Sequence, residues 1–64
     1  MLDALPALLS KVRMRQHGGH FLVVDVDLHT KTLELLSLTE PARLIEGVAL
    51  SAIQELVEGP PDYL

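Results

Sequence analysis

The sequence predicts an α+β domain in the order α-β-β-α, with an antiparallel hairpin packed against a long C-terminal helix and the whole expected to be homo-oligomeric. Three observations lead there. Leucine spacing near the N-terminus fits one face of a helix, two runs rich in branched residues follow around a polar centre, and a long apolar stripe occupies the last third. With 64 residues, 48% hydrophobic and 22% charged, the chain is too apolar for a disordered segment and short enough for one domain, residues 1–64.

The first helix is expected over residues 3–16. Leu5, Leu8, Leu9 and Val12 recur at three- and four-residue steps with Leu2 in line, Asp3 can cap the start, and Pro6 falls in the first turn where its missing N–H does no harm. Lys11, Arg13 and Arg15 then sit where cations complement the carbonyl end of the helix dipole, and Gly18 and Gly19 end the helix.

A hairpin is expected from strands 20–27 and 32–38, with Asp27 holding the turn by accepting backbone N–H bonds. The expected register pairs Val26 with Leu33, Val24 with Leu35 and Leu22 with Ser37. That leaves Phe21, Val23, Asp25, Glu34, Leu36 and Leu38 on a second face, acidic near the turn and apolar away from it. A second helix is expected over 40–58, opened by Thr39 as N-cap and by Glu40 and Pro41 in its first turn. Its stripe is Ala42, Ile45, Val48, Ala49, Ala52, Ile53 and Leu56, and Gly59, Pro60 and Pro61 close it, leaving 59–64 as a tail.

Composition narrows the function. Phe21 and Tyr63 are the only aromatic residues besides histidine, so the core is small and aliphatic, and no cysteine is present to staple it. A partner subunit is the expected source of additional burial, through a hairpin edge or the alanine-rich helix face. The absence of cysteine is compatible with a reducing compartment, no run reaches the roughly 20 apolar residues that span a bilayer, and the N-terminal charges follow the apolar part rather than precede it. The expectation is a cytoplasmic protein with no membrane partner. Nine acidic residues against five basic ones, a formal charge of −4, disfavour broad phosphate binding.

Each candidate site has a plain structural alternative. His17, His20 and His29 with Asp25 and Asp27 are the one conceivable metal set, but the span of a strand separates His20 from His29, so no metal and no cofactor are expected. Asp25, Asp27 and Glu34 could act as paired carboxylates, yet a hairpin end is wet and no catalytic role is assigned. Gly18 and Gly19 lack the spacing of a phosphate loop and precede a strand rather than a helix. The expected function is therefore a non-enzymatic protein–protein interaction module, an adaptor, inhibitor or accessory subunit. Its expected partner contacts are Arg13 and Arg15 at the basic end of the first helix, Leu36 and Leu38 on the hairpin, and Leu44 and Leu50 at the flanks of the second helix's stripe. The alternative is a small dimeric DNA- or RNA-binding regulator using the same arginines.

Overall fold

Five strands form a single antiparallel sheet in the order β4-β3-β2-β1-β5, in a computed structural model that describes residues 5–39 and 41–61. The strands are β1 (Lys11–Met14), β2 (Phe21–Asp27), β3 (Thr32–Ser37), β4 (Leu44–Ala49) and β5 (Ile53–Glu58), with a 3-10 turn at Leu50–Ala52 between the last two. Among the described residues there is no α-helix, which overturns the α+β class, the helix expected over 3–16 and the helix expected over 40–58. Asp3, Leu2, Glu40 and Tyr63 lie outside the described residues.

The N-terminal helix gives way because Lys11–Met14 is an inner strand. It pairs with β2 on one side and β5 on the other, so its backbone groups gain two sets of partners that a short, marginal helix cannot match. Val12 and Met14 are buried while Arg13 and Arg15 are exposed, the period-two alternation of a strand. The same ladder reaches back to Ser10, whose carbonyl accepts the Val23 N–H at 2.9 Å, while the Leu9 N–H donates to the Val23 carbonyl at 2.7 Å.

β2 and β3 pair where the hairpin is expected, and Asp27 holds the turn as anticipated: its Oδ1 accepts the N–H groups of His29 at 3.0 Å and Thr30 at 3.2 Å. These two bonds favour the ionised carboxyl and hold its pKa below the ordinary value. The register differs. Val26 does oppose Leu33, but a bulge between Val23 and Asp25 sets Val23 opposite Leu35, Leu22 opposite Leu36 and Phe21 opposite Ser37. A one-residue slip exchanges faces. Phe21 and Val23 therefore point into the core, and Leu22 points out.

A second bulge divides β4. Leu33 opposes Val48 and Leu35 opposes Ile45, so one extra residue lies between, at Glu46 and Gly47. Gly47 has φ +65°, the left-handed conformation that glycine adopts without steric cost. Two more register shifts interrupt the β1–β5 pairing, between Lys11 and Val12 and between Arg13 and Met14.

Val12, Met14, Phe21, Val23, Leu33, Leu35, Val48 and Ile53 form the core, drawing on all five strands. No second layer is present among the described residues, yet Val12, Val23, Leu35 and Ile53 are 0% exposed. A flat sheet cannot bury them that completely. Val48 comes from one edge strand and Ile53 from the other, so the bulged sheet coils around one interior while its two edge strands stay unpaired with each other.

A leucine row beside a carboxylate row on the outer face

The coiled sheet has one core-facing side, and the residues between the core positions mark its outer face. Leu22 opposes Leu36, and Leu36 opposes Leu44, which places these three leucines in a row across β2, β3 and β4. The row continues through Lys11, the β1 partner of Leu22, to Glu58 of β5. Leu22 and Leu36 are half-buried, Leu44 is 55% exposed, and none of the three packs against the core cluster. Leu38 follows β3, 46% exposed, with its N–H donated to the His20 carbonyl at 3.0 Å. An antiparallel sheet with one buried face ordinarily carries polar residues on the other, so a leucine row there departs from the rule.

Toward the hairpin turn a second row lies beside it. Asp25 pairs directly with Glu34, and Glu34 stands opposite the Glu46–Gly47 bulge, so three carboxylates from three adjacent strands gather on the same face. They border one shallow depression with Asp27, Thr32 and Gly47. Desolvation first, then the charges of Glu46 and Asp25, raise the Glu34 pKa above its ordinary value of 4.5. Like charges directly opposite one another destabilise a sheet.

The sign of the pH effect follows. A carboxyl whose pKa is higher in the folded chain than in the unfolded one is bound more tightly to its proton in the fold. Its contribution to stability falls as pH rises from the ordinary value through the folded one, and the deficit is complete above both. Glu34→Gln is accordingly expected to raise the melting temperature at pH 7, with the advantage shrinking as pH falls from the folded value toward 4.5 and lost below it. Thermal melts of both proteins across that range check it; an unchanged or lower melting temperature at pH 7 would remove the repulsion argument.

The structure separates the six expected contact residues. Leu36 and Leu44 join the row, and Leu38 lies two residues past Leu36, just beyond β3. Leu50 packs against the core from the 3-10 turn and is only partly accessible. Arg13 and Arg15 lie on or just past β1 rather than at a helix end. The Arg13 guanidinium meets Glu55 at 2.6 Å, Lys11 meets Glu58 at 3.2 Å, and Arg15 Nε donates to the Ser51 carbonyl at 3.0 Å. Glu55 and Glu58 of β5 thus neutralise two of the three cations.

Two residues of the site escaped sequence reading. The unbulged register places Leu22 on the face opposite Leu36, and the expected helix over 40–58 takes in Glu46. The available signal was the alternation in "LIEGVA", with Leu44 and Glu46 on one parity and Ile45 on the other, broken by the glycine.

At one end of the sheet a cleft opens between His17, Phe21, Thr39, Arg43 and Ile45, and Leu44 and Glu46 of the two rows also border it. The His17 ring meets Phe21 edge-on at 6.3 Å, and His17, His20 and His29 are all exposed. No group of three or more histidine, aspartate or glutamate side chains is placed to hold a metal ion among the described residues. No helix among them is long and apolar enough to cross a membrane. Comparison of the chain with protein-family models, curated proteins and solved structures gives no match.

Proposed function

We propose that the protein is a non-enzymatic interaction module that binds another protein through the outer face of its sheet. The observation that carries this reading is the row Leu22–Leu36–Leu44, apolar surface left outside a core that already draws on every strand. Two half-buried leucines with the 55% exposed Leu44 at the edge-strand end of the row offer a partner an apolar surface. The module acts in the cytoplasm, a compartment that suits a chain without cysteine. Its two outer strands, β4 and β5, present backbone groups that a second copy can pair with, so self-association accompanies partner binding.

The nucleic-acid alternative draws less support. Lys11 and Arg13 each face a glutamate within 3.2 Å, which cancels most of the local field that phosphates would sense.

Photo-crosslinking tests the reading. A photoreactive amino acid at Leu44 in the full chain, expressed in its native cells, is expected to give a discrete adduct that Leu36→Gln abolishes, whereas the same probe at Lys31 gives none. An adduct of twice the chain mass would identify a second copy as the occupant. Equal or absent labelling at both positions would overturn the outer face as a docking surface.

A further inference from the structure

We propose that the outer face receives a basic, amphipathic segment of the partner, its apolar side chains seated on Leu22, Leu36 and Leu44 and its cations against Asp25, Glu34 and Glu46. The inference rests on the interaction-module reading and adds the chemistry of the occupant. Charge complementarity selects it. The leucines form one row across β2, β3 and β4, the carboxylates form the next row on the same three strands, and both occupy the same face. A segment with apolar and cationic residues side by side matches both rows at once. An acidic segment, or a phosphate backbone, would be repelled by the second row even where it satisfied the first.

The free protein is arranged against its own stability at this point. Asp25 and Glu34 are directly paired like charges, and the Asp25 carboxylate has only the neighbouring Val26 N–H, at 2.9 Å, as a hydrogen-bond partner among the described residues. Neither of the two ion pairs in the described residues involves these acids; those pairs lie on β1 and β5. Desolvation is the first cause of the raised Glu34 pKa, and the repulsion from Glu46 and Asp25 that adds to it is what a partner's lysine or arginine would relieve. Stability and binding are thereby set against each other at one residue, as at many recognition surfaces.

The experiment uses the whole chain and four blocked helical peptides that carry two adjacent stripes on one face, leucine–lysine, leucine–serine, serine–lysine and leucine–glutamate, titrated against the amide NMR spectrum. The leucine–lysine peptide is expected to bind tightest and to shift Leu22, Leu36 and Leu44. Combining Glu34→Gln with Glu46→Gln should weaken it about fivefold to tenfold while raising the melting temperature, so lost binding cannot be ascribed to lost folding. If the leucine–serine or leucine–glutamate peptide binds as tightly at the same residues, the basic partner is overturned while the interaction module stands. If the serine–lysine peptide binds as tightly, charge alone suffices and the leucine row is not the seat. If no peptide shifts these residues, the inference falls, and the crosslinking experiment decides the broader reading separately.

Discussion

Leu35→Ala is expected to cost about 3 kcal/mol of unfolding free energy, while Leu36→Ala, one position on, stays within about 1 kcal/mol. Leu35 is 0% exposed and sits between Val23 on β2 and Ile45 on β4, so truncation opens a cavity that two neighbouring strands cannot collapse to fill. Leu36 projects from the other side of the sheet. A chain of this length has a total stability of roughly 3–10 kcal/mol, so Leu35→Ala is expected to leave a substantial unfolded fraction without denaturant. The same logic ranks Val23→Ala as more costly than Val24→Ala, because the bulge hands the core position to Val23, which is 0% exposed. Urea unfolding followed by circular dichroism orders all four variants. A larger loss for Leu36 than for Leu35 would mean that the faces are exchanged, and the leucine row would then be core rather than docking surface.

Those bulges also explain which parts of the fold were legible in the sequence. The hairpin was readable because "FLVVDVD" and "TLELLS" surround a turn with its own side-chain support, a local signal that tertiary structure did not need to override. The last third was misread because a bulge adds one residue between consecutive core positions. Ile45 and Val48 both turn to the interior three residues apart, a step that imitates helical period although the backbone is extended. Gly47 within that span argues against a helix and the branched residues Ile45, Val48, Ile53 and Val57 favour a strand, while the apparent stripe points the other way. At the N-terminus the alternation of Lys11, Arg13 and Arg15 with Val12 and Met14 was present but brief, and four leucine and valine positions at helical spacing obscured it. The candidate site was half legible for the same reason. Leu36, Leu38 and Glu34 were placed together by parity within one strand, whereas their neighbours Leu22 and Glu46 depended on two bulges that no periodicity announces.

The glycine pair carries the second large effect. Gly19→Ala is expected to cost about 2–3 kcal/mol, while Gly18→Ala is neutral or slightly stabilising. Gly19 has φ +85°, where an L side chain is strained by roughly 1–2 kcal/mol, and a Cβ there would stand 2.8 Å from Thr39 Oγ1 and 3.2 Å from its Cγ2. Thr39 cannot swing away freely, since its hydroxyl lies 3.2 Å from Ser37 Oγ and its carbonyl accepts from that same group. Gly18 has no such neighbour within 4 Å and no positive φ, so alanine there mainly reduces the freedom of the unfolded chain. The close approach of Gly19 to Thr39 joins the β1–β2 loop to the segment leaving β3, beside the bond from the Leu38 N–H to the His20 carbonyl. Thr39→Ala separates the two sources of the cost, because the remaining Thr39 Cβ lies at an ordinary 3.6 Å. In that background Gly19→Ala should retain only its backbone strain, giving a coupling of about 1 kcal/mol in a double-mutant cycle. A coupling near zero would assign the whole effect to the backbone and leave the loop-to-strand contact without energetic weight.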